Sequence, residues 1–326
     1  MTSLPAPIFA PIADALARVE EIVADAQSGC AGAVADVLAG PWVGRGKRLR
    51  PALAIHAARA GGGDPAEAPA LGAAVELLHL ASLLHDDFID GAATRRGAPS
   101  AHARFGPRSA LLAGDFLFAR ALALVTEAAG RQGVRVAIAA ARDMIEGESI
   151  EVARACDLAL GADEAIGIAR RKTASLFSAA CRLGATAGGA SGAEIEALAR
   201  FGDHLGTAFQ IADDSLDLRG TREALGKEPG ADIREGNLSL PLVYAASELS
   251  AEAVARLRAS FGRADATDAE VRAILRDVAA TAGVARAMGV AHSHAQVAEG
   301  ALATVRDDGV RAALGACLDF ALGRVA

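Results

Sequence analysis

Hydrophobic positions along this chain show no clear alternation of apolar and polar residues anywhere, so strands are not expected. Long stretches rich in Ala and Leu, broken by polar residues, read instead as helix almost throughout. Proline supports this reading. None occurs from 108 to 228 or from 242 to 326, where helix interiors would exclude it. Predicted breaks fall at AGGGDPAEAP (60–69), GAPSAHARFGP (97–107), GGASG (188–192) and GKEPGADIREGNLSLP (226–241). Ser191 followed by Glu194 predicts a capping box opening the next helix. Pro5, Pro7 and Pro11 make residues 1–12 a loose arm or a short capping segment.

Two of these helices carry polar stripes on otherwise apolar surfaces. At 100° per residue, His79, Asp86 and Asp90 fall within about 20° of one another and Ser82 lies about 60° off. Leu77, Leu80, Leu84 and Phe88 point elsewhere and are expected in the core. The same construction puts Gln210, Asp213, Asp214 and Asp217 on one stripe, with Phe209, Ile211 and Leu216 off it. A solvated face would carry Lys and Glu rather than Asp and His. Asp86, Asp87 and Asp90 therefore form one row, and Asp213, Asp214 and Asp217 another of the same form. Acids gathered this way repel one another unless cations hold them. Oxygen-only ligand sets suit a hard divalent cation, Mg²⁺ above all, because it keeps water and substrate phosphates as ligands. Two such rows are most simply satisfied by facing each other across a shared metal cluster.

Arg95 and Arg96 follow the first row and suit phosphate oxygens. The run GKRLRP (46–51) is weak by itself, since short basic clusters are mostly solvated surface. Beside an acidic metal site it gains meaning: a second diphosphate, bound without metal, needs cations, and Lys47, Arg50, His79 and Arg96 could supply them. Lys172 and Thr173 in KTASLF would be surface residues on most helices, and Gln210 a simple hydrogen-bonder. Lys227 lies in the loop after the second row, placed to close over a phosphate.

The chain has 326 residues, 52% of them hydrophobic, enough for a large core. Length alone suggests two domains, but motifs running from residue 46 to residue 241 make sense only as one site, so a single domain over 1–326 is expected. A net charge of -7 gives no global attraction to nucleic acid or anionic membranes. Cys30, Cys156, Cys181 and Cys317 have no paired spacing, which fits reduced thiols in a cytoplasmic protein. No uninterrupted apolar stretch of about 18 residues predicts a membrane span, and no secretory leader is evident.

Taken in order, GKRLRP, HLASLLHDDFIDGAATRRGAPS, GDFLFARA, KTASLF, FQIADDSLD and GKEPGADIREGNLSLP resemble the trans-isoprenyl diphosphate synthases, or polyprenyl synthetases, over nearly the whole chain. The resemblance implies an all-α fold of roughly a dozen helices around a deep central cavity, usually a homodimer. It implies head-to-tail condensation of an allylic diphosphate (farnesyl or geranyl) with isopentenyl diphosphate, using two or three Mg²⁺ ions. By motif, Asp86, Asp90 and Asp213 look like direct metal ligands, with Asp87, Asp214 and Asp217 assisting. Lys47, Arg50, His79 and Arg96 look like the isopentenyl diphosphate site. Arg95, Lys172 and Lys227 look like the allylic diphosphate site, with Thr173 and Gln210 near the developing cation. Asn237 stands where many members have Lys, and Ser239 where they have Thr.

Product length turns, in this family, on residues upstream of the first Asp row. Ala81 and Ser82 are small there, so the tail should pass them and meet Phe118, Leu122 and Val125 further down. A medium or long product of octaprenyl or decaprenyl length is expected, with geranylgeranyl or farnesyl diphosphate as the alternative. A class I terpene cyclase would not need GKRLRP, and an inactive subunit of a heteromeric synthase would be expected to have lost carboxylates, yet all six are present.

Overall fold

The computed structural model describes residues 5–40, 46–62, 68–95, 97–219 and 229–323. As the sequence predicts, the described residues are helical almost throughout. Two compact units emerge. The first comprises residues 1–141, 176–202 and 301–317, and the second residues 142–175, 203–300 and 318–326.

In the first unit, α1 (Ala6–Phe9) and a following 3-10 turn lead into α2 (Ala13–Ser28), α3 (Ala33–Leu38), α4 (Leu49–Ala60) and α5 (Pro69–Ile89). Among the described residues, 5–12 form a capping segment rather than a loose arm. Ile8 and Ile12 are buried, and the ring Nε2 of His56 lies 2.7 Å from the carbonyl of Ile8. Helices α4 and α5 are buried along most of their length, and α5 packs against both α2 and α4. Helix α9 (Ser175–Ala187) lies so close to α4 that a Cβ at Gly184 would stand 1.9 Å from the Ala54 carbonyl oxygen, and one at Gly188 2.1 Å from that of Ala58. Only glycine permits that approach at two successive turns.

Leu77, Leu80 and Leu84 are buried as expected, but Phe88 is 41% exposed. It belongs to the last turn of α5, beyond the packed part of the helix. Its ring meets only the edge of the His102 ring, at 6.1 Å between centroids. A two-residue antiparallel ladder, β1 (Thr94–Arg95) with β2 (Ala98–Pro99), follows α5 and was not foreseen. After α6 (Ala101–Phe105), α7 (Pro107–Ala153) is interrupted at Gly130 (φ 56°, ψ -154°). The sequence hides this break, because a glycine without a neighbouring proline is tolerated in a helical pattern. Among the described residues, α7 is the helix long and apolar enough to cross a bilayer by length and composition. Its Arg120 lies 3.6 Å from Asp25 within this unit.

The second unit holds α8 (Ala162–Ala169), a π-helical turn at Arg170–Ala174, and the C-terminal part of α10 (Gly192–Arg219). It continues with α11 (Ala231–Glu235), α12 (Leu240–Ala246), α13 (Ala251–Ser260), α14 (Asp268–Ala279) and α15 (Gly283–Ala301), with α16 (Asp308–Leu322) following in the chain. Its core gathers Ile211 and Leu218 of α10 with Ile168, Ile233, Leu242, Leu257 and Ile274. The Ser191–Glu194 capping box is present at the start of α10: the Ser191 amide donates to the Glu194 carboxylate, and the Glu194 amide to Ser191 Oγ.

Candidate active site

The first carboxylate row closes α5. Gly91 (φ 63°) ends the helix: its amide donates to the carbonyl of Phe88, and that of Ala92 to the carbonyl of Asp87, a Schellman cap. Asp86 and Asp87 therefore occupy the last turn, with Asp90 at the cap. The helix dipole disfavours acids at that end, so the row needs a compensating cation. Asp87 finds one in the protein. It is buried, and both its oxygens accept from Arg95 Nε at 2.7 Å. Asp86 is half-buried and Asp90 exposed. Arg96 lies outside the described residues.

The same unit carries the basic run. Lys47 is exposed, and Arg50 is half-buried with its guanidinium 4.7 Å from the centroid of the Phe177 ring on α9. Arg50 Nε is buried without a hydrogen-bond partner, and burial pushes the guanidinium down to about 10 against the opposing charge of Glu76. Arg48, between them, is buried and belongs to the protein interior. Its Nη1 donates to Glu76 at 2.6 Å, and its Nη2 and Nε donate to Glu20. His79 is half-buried, and its carbonyl accepts from Ser82 Oγ at 2.9 Å. Ala81 is buried and Ser82 half-buried. On α7, Phe118 and Leu122 are half-buried and Val125 fully buried.

The second row sits in the last two turns of α10, again at the unfavourable end for acids. Asp217 is buried, while Asp213 and Asp214 are half-buried. Burial pushes the Asp214 carboxyl up to about 8, and the neighbouring charges of Asp213, Glu151 and Asp217 add to the shift. A hydrogen bond from Gln210 opposes it. Asp232 of α11 joins this group, its amide donating to Asp217. Burial and the charges of Asp217 and Asp214 raise its carboxyl well above the usual range. Carboxyls held protonated by burial first and by one another's charge second are a donor set short of positive charge, which fits a hard cation. Among the described residues, no three acidic, His or Cys side chains converge as a complete cage.

Lys172 and Thr173 lie in the π turn, a distortion frequent at functional sites. Lys172 is bracketed by Glu148, at 2.7 Å, and Glu151 of α7. Burial would lower its basicity, but the two carboxylates more than offset this and hold it charged. Thr173 Oγ1 donates to Gln210 Oε1 at 2.6 Å, and Gln210 Nε2 donates to Asp214 at 2.7 Å. Thr173 thus spends its one hydroxyl proton on Gln210, and Gln210 one of its two amide protons on Asp214, which leaves the Thr173 oxygen and the second lone pair of Gln210 Oε1 to face a positive charge. Asn237 donates weakly to Glu235 at 3.3 Å, and Ser239 is half-buried. Lys227 lies outside the described residues.

Sequence reasoning missed Glu20, Arg48, Glu76, Glu148, Glu151 and Asp232. Glu148 and Glu151 were within reach of it, because their three-residue spacing puts both on one face of α7.

A polyprenyl synthetase family model matches residues 36–278. A nonaprenyl diphosphate synthase of Mycobacterium tuberculosis is 38% identical over 310 residues, covering 95% of this chain and 92% of that one. A short chain isoprenyl diphosphate synthase of Methanothermobacter thermautotrophicus is 37% identical over 284 residues, covering 86% of each. The crystal structure of a polyprenyl synthase from Caulobacter crescentus CB15, complexed with calcium and isoprenyl diphosphate, superposes with a TM-score of 0.92 at 35% identity over 98% of each chain.

Proposed function

The chain belongs to the polyprenyl synthetase family, and from that premise we propose that it condenses an allylic diphosphate with isopentenyl diphosphate, head to tail, to make a trans-polyprenyl diphosphate. The observation that carries the reading is the second carboxylate row, with Asp214 pushed up to about 8 beside the Thr173–Gln210 pair. An acidic group short of cations stands next to the side-chain oxygens of Thr173 and Gln210, each with lone-pair capacity left.

Bound Mg²⁺, held by Asp86, Asp90 and Asp213 with help from Asp87, Asp214 and Asp217, would neutralise the charge growing on the departing diphosphate. Lys172, Arg95 and Lys227 bind the same diphosphate more strongly as its C–O bond breaks. Binding must draw Lys172 away from Glu148 and Glu151. The lone pairs of Thr173 and Gln210 steady the allylic cation in a pocket with little water. Lys47, Arg50, His79 and Arg96 hold isopentenyl diphosphate, whose double bond attacks the cation. The released diphosphate, itself a base beside the new cation, takes the proton.

We assign a medium or long product to this chain, because Ala81 and Ser82 leave the upper path open. The short-chain relative at 37% identity favours the second reading, a farnesyl or geranylgeranyl product. The protein acts, on this reading, as a cytoplasmic homodimer with one catalytic domain per chain. The test is incubation with Mg²⁺, farnesyl diphosphate and labelled isopentenyl diphosphate, followed by reversed-phase chromatography. Elongated prenyl diphosphates are expected. A cyclised hydrocarbon, or no incorporation of label, would overturn the reading.

A further inference from the structure

We propose that Glu76 is a positioning residue for the isopentenyl diphosphate subsite, acting through Arg48 and Arg50; this rests on the function proposed above. Within GKRLRP the two expected ligands, Lys47 and Arg50, flank a cation that no ligand can use. Arg48 is 8% exposed, and its guanidinium is spent on Glu76 and Glu20. Its backbone is left-handed (φ 52°, ψ 29°), a conformation unfavourable to any residue with a Cβ. Something must hold it there, and the fork to two carboxylates does so.

Of those two carboxylates, Glu20 is half in solvent and Glu76 is almost wholly enclosed, at 3% exposure. Gly46 rides directly over the link. A Cβ there would stand 3.0 Å from Arg48 Nη1 and 3.0 Å from Glu76 Oε1. Glu76 thus fixes where the backbone of residues 46–48 runs, and hence where Lys47 starts. Its charge also reaches Arg50, where it offsets part of the loss of basicity that burial causes. Arg50 offers a buried Nε with no protein partner, held over Phe177. On α5, Glu76 lies three residues before His79, on the same side of the helix. One buried carboxylate therefore bears on three of the groups expected to meet this diphosphate.

A purely structural role would tie α2, α4 and α5 together and disturb both substrates alike. Glu76→Gln keeps the shape and removes the charge. With farnesyl diphosphate saturating, KM for isopentenyl diphosphate should rise about tenfold to a hundredfold, the loss of a charge-assisted bond. The Kd of isopentenyl diphosphate alone, measured by calorimetry without Mg²⁺, should rise with it. KM for farnesyl diphosphate and kcat should stay within about twofold. Gly46→Ala, which presses on the same link and changes no charge, should move KM for isopentenyl diphosphate in the same direction. That variant decides the matter if Glu76→Gln does not fold. An unchanged KM for isopentenyl diphosphate, or equal shifts for both substrates, would overturn the inference. Failure of the wild-type protein to consume isopentenyl diphosphate would instead overturn the function on which it rests.

Discussion

Gly147 is where a single methyl group should separate stability from catalysis. It lies on α7 against the π turn, and an added Cβ would stand 2.8 Å from Arg171 Cβ, 2.9 Å from Lys172 Cγ and 2.9 Å from the Lys172 backbone nitrogen. Ordinary contact begins at 3.4 Å, so the turn must retreat by about half an ångström. A flexible side-chain end could swing aside, but a backbone nitrogen in a helix cannot. Overpacking of this kind costs about 1–3 kcal/mol. Replacing a helix-interior glycine returns about 1 kcal/mol. The net loss in Gly147→Ala is then about 0–2 kcal/mol, a fall in melting temperature of no more than about 8 °C. The effect on turnover should be larger in proportion. The turn carries Lys172 and Thr173, and a displacement approaching an ångström can cost about a hundredfold in rate. We expect kcat to fall at least about tenfold, with Tm lowered by a few degrees and an unchanged circular dichroism spectrum. Thermal melting and steady-state kinetics on the same preparation test this. A variant with wild-type kcat would refute the claim that Gly147 sets the position of the turn.

Three further outcomes are expected. Asp86→Ala and Asp213→Ala should each lower turnover by about a hundredfold or more while leaving the helical spectrum intact; near-normal turnover in either would contradict its assignment as a metal ligand. Asp214 holds its proton up to about pH 8 in the fold and only to about pH 4 in the unfolded chain. The folded state binds the extra proton, so metal-free protein should lose stability as pH rises across that window. In chelator, Asp214→Asn should melt above wild type near about pH 8.5, and the gap should close toward about pH 5; parallel melting curves would remove the basis for the shift. Ala81→Phe should shorten the product, and an unchanged length distribution in a chain-length assay would reject Ala81 as a floor residue.

The helical class, the main breaks and the Ser191 cap were legible because local rules govern them: proline exclusion, glycine punctuation and hydrogen bonds spanning three residues. Both carboxylate rows were legible because helical periodicity fixes their faces. Counter-ions were not. Which cation pairs with Asp87, and which carboxylates bracket Lys172, depends on contacts that no local pattern encodes. Arg48 shows the difficulty well. Within one short basic run, sequence could not tell the buried structural cation from its two neighbours, because burial is decided by Glu20 and Glu76 on other helices. Phe88 failed for the opposite reason: periodicity gave its face correctly but said nothing of where the packing partner ends.

Gly184 of α9 and Gly188 just beyond its end carry a consequence for motion. Two helices whose backbones touch at successive turns cannot slide along each other without a clash on a carbonyl oxygen, so along that direction α4 and α9 travel as one plank. Arg50 and the Phe177 ring beneath it ride on that plank. Any hinge used when substrate enters or product leaves has to lie in other parts of the chain.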